Sequence, residues 1–258
     1  LPTVGVLNND EFIKILHILL QNLVGISKQN LGDPEWDIAF LIDFMTQQDL
    51  AVIRSMTKKT VYLDKDKRNC NRITFGSNIV KKLEPTVLKT LTEHSVNWHL
   101  PVTGIQIDKT HGDILFYHGK KAQFKPHMDY VPPCPYEGNW HFYTMIIGID
   151  STCKYVEGNT WIEGNTCIWL PTIDSIVKNA VEEISPDILK GKSLIEHSFP
   201  QSCIPKNWLL FSPEDLHCSN QLDYYGTCPL NTYKLCVKLD VWLEFETDNR
   251  SLYFNRFQ

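Results

Sequence analysis

A histidine and an aspartate stand two residues apart in the segment FKPHMDYVPP (124–133), at His127 and Asp129. Side chains at positions i and i+2 of an extended segment point to the same side, so these two side chains can bind the same small ligand. A second pair with the same spacing, His111 and Asp113, has a glycine at its centre. That glycine predicts a turn between strands, in which the two side chains need not converge. We therefore take His127 and Asp129 as the candidate pair.

A further histidine, His217, follows a predicted strand and a short polar turn in LLFSPEDLHCSN (209–220). In a jelly roll, strands that are distant in sequence can lie side by side, so His217 can reach the first pair. Two imidazoles and one carboxylate on one face of a metal ion leave three coordination positions open. That is the ligand set of the facial triad in non-haem Fe(II) oxygenases, and we predict a metal site formed by these three side chains.

A cationic anchor for a co-substrate is found in the segment NTYKLCVKLDVWLEF (231–245). Its aliphatic residues alternate with a second row that contains Lys234 and Lys238, which predicts a strand. Either ammonium could point into the mouth of a barrel and pair with the far carboxylate of a keto acid. A buried lysine without a partner is costly, so a ligand gives it a reason to be there. Two exposed lysines on an edge strand, where they discourage aggregation, explain the pattern equally well.

The elements that must position these residues differ between the two parts of the chain. Up to about residue 100 the apolar spacing is helical, and we predict helices over 8–26, 33–56 and 77–94. The third is expected to break or restart near Pro85. Residues 1–100 are therefore predicted to form a helical support region.

After residue 100, short runs with period two alternate with glycine, proline and asparagine, which predicts eight strands and one helix over 172–191. The strands are predicted at 103–108, 112–118, 122–129, 141–150, 165–171, 192–199, 207–213 and 233–245. Eight strands with one helical insertion are typical of a double-stranded β-helix, the cupin-like jelly roll. We predict an α+β fold with this core over residues 101–258 and the N-terminal helices packed on one sheet. The whole chain is expected to be one domain.

Composition and charge limit the possible partners. The chain has 258 residues, of which 43% are hydrophobic and 21% charged, as in ordinary globular proteins. Its formal net charge of −5 gives no global attraction to nucleic acid or to an anionic membrane. The basic stretch 57–69 is interrupted by two aspartates, so we interpret it as a solvated loop. No apolar run reaches the ~18 residues that a membrane span requires.

The eight cysteines stand singly, without a CxxC pair, which argues against a zinc ribbon or a thioredoxin-type site. Reduced thiols are the simpler interpretation, and we expect a cytoplasmic or other intracellular protein. The chain begins at Leu1 rather than at a methionine, so we also expect a trimmed N-terminus.

Three segments resemble Fe(II)/2-oxoglutarate-dependent dioxygenases of the prolyl-hydroxylase-like branch. ILFYHGKKAQFKPHMD is similar to the stretch in which an aromatic-ending strand, a glycine turn and a phenylalanine precede His-x-Asp. NWLLFSPEDLHCSN resembles the later strand that ends in the distal histidine. YKLCVKLDVWL resembles the final strand, in which a lysine or arginine stands six residues before an aspartate. The resemblance covers residues 113–245.

This resemblance implies that His127, Asp129 and His217 ligate Fe(II) and that Lys234 binds the C5 carboxylate of 2-oxoglutarate. It implies that Tyr117 hydrogen-bonds the same co-substrate, with Lys238 as the alternative anchor. A core tyrosine with a satisfied hydroxyl is the other interpretation of Tyr117. The activity that it implies is a dioxygenase that hydroxylates a C–H bond of a protein or peptide side chain. Dioxygen and 2-oxoglutarate would be its co-substrates and ascorbate its reductant.

The substrate side is less defined. The aromatic, proline-rich segment YVPPCPYEGNWHFY (130–143) would let Tyr130, Tyr136 or Trp140 touch a substrate, and a rigid surface loop explains it as well. The same chemistry on a small molecule is an alternative. So is repair of alkylated nucleic acid, although that family usually has an arginine pair on its last strand. A catalytically silent jelly-roll binding module and a cupin-like metal isomerase, which would not need Lys234, complete the alternatives. The oligomeric state is left open.

Overall fold

The strand that carries the two lysines lies in the middle of the larger of two sheets. The structure is a computed structural model that describes residues 2–19, 68–98, 101–119, 121–152, 164–171, 194–222 and 232–246. The predicted helices over 33–56 and 172–191 lie outside the described residues. In chain order, the described elements are β1 (Thr3–Val6), α1 (Asn9–Leu19), β2 (Arg68–Asn69), β3 (Asn71–Gly76), α2 (Ser77–Ser95), β4 (Val102–Ile107), β5 (His111–His118), β6 (Gln123–His127), β7 (Trp140–Ser151), β8 (Thr166–Pro171), β9 (Leu194–Phe199), a 3-10 helix (Pro200–Cys203), β10 (Asn207–Phe211), β11 (Leu216–Ser219) and β12 (Tyr233–Phe245).

These strands form two antiparallel sheets. The larger sheet has the order β1-β10-β7-β12-β5-β3, with β4 paired to the C-terminal half of β12. The smaller sheet has the order β2-β6-β11-β8-β9. Most neighbours in each sheet are remote in sequence, as in β1-β10, β7-β12 and β6-β11, which is typical of a double-stranded β-helix. The predicted fold class is confirmed.

Strand β12 separates two interiors because its side chains alternate between the two faces of the sheet. The aliphatic row packs in one apolar cluster with α1 and α2, as predicted for helices that cover one sheet. This row consists of Leu235, Val237, Leu239, Val241 and Leu243. The other row, which includes Lys234 and Lys238, faces the space between the two sheets. Burial of each large apolar side chain stabilises the fold by about 1.5–3 kcal/mol, and this row fixes which face of β12 the lysines occupy.

Helix α1 begins with a reciprocal cap. The Glu11 backbone N–H donates to Asn8 Oδ1 at 2.9 Å, and the Asn8 backbone N–H donates to Glu11 Oε2 at 3.2 Å. The remaining oxygen of the Glu11 carboxylate accepts from Lys89 Nζ of α2 at 3.1 Å. One residue therefore caps the first helix and ties it to the second.

Helix α2 is continuous from Ser77 to Ser95, so the predicted break near Pro85 is wrong. Proline lacks the N–H that would bond to the carbonyl four residues earlier. Pro85 lies on the exposed side of the helix, where that carbonyl can be hydrated. The apolar positions Val80, Leu83 and Val87 on the opposite side are buried and hold the helix against the sheet.

The prediction of a helical first hundred residues missed three strands. β1 pairs with β10 and β3 pairs with β5 in the larger sheet, and β2 pairs with β6 in the smaller one. The predicted turn at Gly112 is also wrong, because β5 begins at His111. A Cβ atom on Gly112 would lie 2.5 Å from the ring of Phe75. The glycine makes room for packing between β3 and β5 and does not reverse the chain.

No helix in the described part of the chain is long and apolar enough to cross a membrane.

A close contact at Gly148 holds the 3-10 helix against the larger sheet. A Cβ atom there would lie 2.6 Å from the Gln201 carbonyl oxygen and nearer still to that of Ile204. We expect Gly148→Ser to lower the free energy of unfolding by about 1–3 kcal/mol, measured by urea denaturation, because backbone atoms have to move.

The matched control is Gly76→Ser. Nothing lies within 4 Å of a Cβ at Gly76, which is the N-cap of α2, a position that favours serine. Equal stability of the two serine variants would contradict the close packing of the 3-10 helix on β7.

Candidate metal centre

Pairing between β6 and β11 brings the two predicted histidines together. His127 is the last residue of β6, and His217 in β11 is its partner across the antiparallel ladder. Their ring centroids lie 4.3 Å apart. Asp129 lies two residues beyond the end of β6, where its backbone N–H donates to the Pro213 carbonyl oxygen at 2.9 Å. This bond fixes the carboxylate beside both rings.

The three side chains present their ligand atoms to one point. His127 Nε2 lies 3.5 Å from Asp129 Oδ1, and His217 Nε2 lies 3.7 Å from Asp129 Oδ2. The three ligand atoms are all within 4.8 Å of one another. Small side-chain movements would bring these atoms to the distance of about 2.1 Å at which nitrogen and oxygen ligands bind a first-row metal ion. The structure therefore brings together the three residues that were predicted to share a metal.

Both imidazoles are held in the tautomer that metal binding requires. Nδ1 of His127 lies 2.7 Å from the Lys125 carbonyl oxygen, and Nδ1 of His217 lies 2.7 Å from that of Asp215. A carbonyl can only accept, so each Nδ1 carries the proton and each Nε2 keeps its lone pair. Such a bond fixes the tautomer and the orientation of metal-binding histidines in general.

Aromatic rings complete the walls of the site. Phe124 stacks on His127 with centroids 3.5 Å apart, and Phe211 meets the His217 ring edge-on at 4.8 Å. These contacts limit rotation of the imidazoles and shield one side of each from water.

The Asp129 carboxyl is held in its ionised form. Burial alone would raise its pKa, but the close approach of His217 and the positive charge of Lys238 outweigh that effect. The pKa of Asp129 therefore lies well below its ordinary value. At every pH near neutrality this side chain offers a charged oxygen ligand.

Lys234 stands in the middle of the larger sheet. Its strand is paired with β5 on one side and with β7 on the other, so the alternative of lysines on an exposed edge strand is wrong. The side chain is 1% exposed. Its Nζ donates to the Gly164 carbonyl oxygen at 2.6 Å, to Ser219 Oγ at 2.6 Å and to Ser202 Oγ at 3.3 Å. It also lies 4.5 Å from the centroid of the Tyr117 ring.

The Lys234 charge is solvated by neutral groups. No carboxylate of the described residues lies within ion-pair distance of its Nζ. Burial raises the pKa of the neighbouring Cys236 thiol to about 11, so this thiol stays protonated and is not a counter-ion. Ser202 Oγ accepts from Lys234 and from Thr166 at 2.9 Å and also contacts Cys203 Sγ at 4.0 Å. The ammonium of Lys234 is therefore surrounded by neutral oxygen atoms within the described part of the chain.

Lys238 has different surroundings. Its Nζ lies 3.0 Å from Asp240 Oδ1 and 4.0 Å from Asp129 Oδ2, so its charge is already compensated within the protein. Of the two predicted anchors, Lys234 is the one whose charge has no partner carboxylate in the described part of the chain.

One cavity of about 360 Å³ connects these groups. Its walls come from both sheets and include the triad, Lys234 and Lys238. The larger sheet also contributes Leu115, Tyr117, Ile146 and Phe211. Of the aromatic residues that were predicted to meet a substrate, Tyr130 lines this cavity and is 80% exposed. Tyr136 and Trp140 stack on each other at 4.8 Å and are not among its lining residues.

Sequence reasoning missed the partners of Lys234. Ser219 was detectable, because it stands two residues after His217 on the same strand and must face the same way. Ser202 had no local signal, since the 3-10 helix that carries it is positioned by the contact with Gly148. Gly164 contributes a backbone oxygen, which no residue type encodes.

No protein-family model and no curated protein matches the sequence. Among solved structures, the chain is similar to EvdMO1 (TM-score 0.44, 12% identity), covering 80% of this chain and 44% of EvdMO1, so it spans less than half of that protein. It is also similar to SnoN, the non-heme alpha ketoglutarate dependent epimerase from nogalamycin biosynthesis (TM-score 0.41, 12% identity, 76% and 70% covered).

A third similar structure is the viral collagen prolyl hydroxylase vCPH from Paramecium Bursaria Chlorella virus-1 (TM-score 0.34, 10% identity). This likeness covers 77% of the present chain and 83% of vCPH. At such identities and scores, the function has to be inferred from the side chains of this chain.

Competition between protons and metal follows from the protonation states at the centre. The low pKa of Asp129 keeps its carboxylate ionised well into the acid range, so protons that compete with the metal at the ligand atoms must bind to the imidazoles. Because each imidazole must be neutral to bind the ion, we expect Mn²⁺ affinity to fall as the pH is lowered, by up to about a hundredfold per pH unit where two protons compete with the metal.

The measurement is calorimetric titration of the metal-free protein with Mn²⁺, with circular dichroism at each pH as the control for folding. Affinity that stays constant down to pH 5 would exclude paired imidazole ligands.

Proposed function

We propose that this chain is an Fe(II)- and 2-oxoglutarate-dependent oxygenase that hydroxylates a C–H bond. One observation carries the proposal: two imidazole nitrogens and a carboxylate oxygen, all within 4.8 Å, share a cavity with a buried ammonium that lacks a carboxylate partner among the described residues. A metal site alone has many uses. A metal site that shares a cavity with a carboxylate-binding site matches the needs of a bidentate keto-diacid.

The ligand atoms fit Fe(II). Two neutral imidazoles and one carboxylate on one side of the ion form the 2-His-1-carboxylate set, which leaves positions open for other ligands. His127, Asp129 and His217 would hold the metal. Their Nδ1 bonds to backbone carbonyls keep both rings deprotonated at Nε2, and the low pKa of Asp129 maintains the negative charge.

The residues around Lys234 fit the distal carboxylate of 2-oxoglutarate. The ammonium would attract the carboxylate, and the hydroxyls of Ser202 and Ser219 could donate to it. In a site where Lys234 is 1% exposed, such an ion pair is far stronger than in water. Tyr117 would pack against the same end of the co-substrate with its ring.

When bound, Fe(II) supplies the redox chemistry by which dioxygen, 2-oxoglutarate and a substrate C–H bond give succinate, carbon dioxide and a hydroxylated product. The chain itself orients the reactants. Lys234 fixes one end of the co-substrate, the triad fixes the metal, and the apolar side chains Leu115, Ile146 and Phe211 limit the access of water. Ascorbate as a reductant stays a prediction.

The substrate would enter at the end of the cavity that Tyr130 borders, and the exposure of this ring leaves room for a group larger than the cavity. We propose that the hydroxylated position belongs to a protein or peptide side chain, with a small molecule of the same chemistry as the alternative. Alkylated nucleic acid is disfavoured by the formal net charge of −5.

The test of the proposal is spectroscopic and chemical. Anaerobic addition of Fe(II) and 2-oxoglutarate to the protein should give a weak visible charge-transfer band, and admission of oxygen should yield succinate. We expect His127→Ala and Asp129→Ala each to abolish both signals, because a ligand is lost. The exposed His197 in β9 offers a matched control, and His197→Ala should keep both. Full turnover in either ligand variant would refute the triad.

The same substitution at the two lysines of β12 should change the affinity for 2-oxoglutarate to very different extents. Lys234→Met removes the unpaired ammonium and should weaken 2-oxoglutarate binding at least about a hundredfold, as expected for the loss of a buried charge-assisted contact. Lys238→Met removes an ammonium that is paired within the protein and should change this affinity by less than about threefold.

The affinity is measured by anaerobic titration of the charge-transfer band. A larger loss for Lys238→Met than for Lys234→Met would reassign the anchor to Lys238.

A further inference from the structure

A row of charged side chains lines the cavity beside the metal centre. We call it the charged wall: Arg72 of β3, Asp108 after β4, Asp113 of β5, and Lys238 and Asp240 of β12. The triad and the Lys234 site do not use it, apart from the 4.0 Å approach of Lys238 Nζ to Asp129 Oδ2. A cavity that holds a reactive metal must also hold a substrate, and this wall is the polar surface that remains for it.

The charges of the wall are paired in an unexpected way. Asp113 and Lys238 are direct partners in the ladder between β5 and β12, yet they form no ion pair. Lys238 Nζ turns to Asp240 at 3.0 Å. Asp113 turns the other way, to the neighbouring strand β3, where Oδ1 accepts from Thr74 Oγ1 at 2.7 Å and meets Arg72 Nε at 3.3 Å. The same wall of the cavity therefore presents an ammonium and a carboxylate that each have a different partner.

The second carboxylate oxygen of Asp113, Oδ2, has no partner among the described residues. Both contacts of this carboxylate are made by Oδ1, and among the described residues Oδ2 has no hydrogen bond or ion pair. The residue is 2% exposed and lines the cavity. A carboxylate oxygen that borders the cavity and has no donor among the described residues is a ready acceptor for a donor group that enters it.

The sum of charges on the wall is negative. Three carboxylates (Asp108, Asp113 and Asp240) face two basic groups (Arg72 and Lys238). The Arg72 side chain is 39% exposed, so that water screens its charge, whereas the Asp113 side chain is 3% exposed. Asp108 also receives its described donors, the backbone N–H and hydroxyl of Thr110, on one oxygen, Oδ1. The wall thus has spare acceptors and spare negative charge.

We propose that the charged wall binds a cationic group of the substrate, with Asp113 Oδ2 as the principal acceptor. The inference rests on the proposed oxygenase function and narrows its substrate to organic cations of the lysine or arginine type, free or as a peptide side chain. An anionic substrate is disfavoured because Lys238 and Arg72 are both already paired with carboxylates of the wall. A charge-assisted hydrogen bond to a buried carboxylate gives such a group both affinity and position.

The first experiment measures binding without turnover. The whole protein, loaded with Mn²⁺ and 2-oxoglutarate, is titrated calorimetrically with L-lysine and L-arginine, and with their uncharged counterparts L-norleucine and L-citrulline. Parallel titrations use short peptides that contain one lysine or one arginine, which separates a free amine from a side chain. We expect at least one cation, free or in a peptide, to bind tenfold or more tightly than its uncharged counterpart. Equal or tighter binding of the uncharged compounds, or of L-glutamate, would overturn the proposal.

Variants identify the acceptor. Asp113→Asn keeps the shape of the side chain and should weaken binding of the preferred cation about tenfold to a hundredfold. The control Asp10→Asn makes the same change on the exposed first turn of α1 and should have no effect. Arg72→Gln removes a competing positive charge and should leave cation binding unchanged or tighter. Undiminished binding in a folded Asp113→Asn protein would show that Asp113 is not the acceptor.

Failure of this inference is distinguishable from failure of the oxygenase assignment. If the protein binds 2-oxoglutarate and forms succinate with Fe(II) but prefers no cation, the charged wall has been misassigned and the oxygenase function stands. If it binds no 2-oxoglutarate, both proposals fall together.

Discussion

The register between β6 and β11 is the constraint on which the candidate centre depends. Because His127 and His217 are direct ladder partners, a slip of one residue would turn one imidazole to the other face of the sheet. Each ring is then fixed by the same local device, a bond from Nδ1 to the backbone carbonyl two residues earlier. Backbone groups thus set the direction of the two candidate nitrogen ligands. Asp129 supplies the third ligand atom and the negative charge.

The larger sheet contributes the opposite element, a positive charge in the interior. A central strand is an unfavourable place for an ammonium unless several dipoles surround it. Around Lys234 these dipoles come from three separate segments, through Gly164, Ser202 and Ser219. Each oxygen is neutral, so the charge is solvated without being cancelled. Such an arrangement keeps the electrostatic attraction of the ammonium available for an anion.

Sequence periodicity was sufficient for the strands of the core and insufficient for what surrounds them. The alternation in β12 predicted both its strand and the face of its lysines, and His-x-Asp predicted the first two members of the triad. The four-residue strand β11 carries too little pattern to separate it from the polar turn before it. β1, β2 and β3 lie in a part of the chain where helical periodicity dominates, and they are strands because the sheet edges offer them partners.

The site residues that were missed share one property, which is that their role is created by tertiary contacts. Ser202 reaches Lys234 because Gly148 allows a 3-10 helix to approach β7, and Gly112 admits the ring of Phe75 between two strands. Asp113 was noticed in the sequence as part of a weak metal motif, whereas the structure gives it a buried place opposite Lys238. Spacing along a chain predicts which side chains share a face, but not which neighbour each will choose.

The charged groups that line the cavity differ from ion pairs elsewhere in the described part of the protein. Glu11 pairs with Lys89, and Lys109 pairs with Glu84. Inside the cavity, the described residues offer three kinds of group to a ligand: two Nε2 lone pairs, an ammonium bonded only to neutral oxygens, and a carboxylate oxygen without a donor. Each would be unfavourable if it stayed empty in a dry interior, and each becomes favourable with a partner of complementary charge. A metal cation, a dicarboxylate and a cationic substrate are three such partners, and the two sheets present their sites to a single volume.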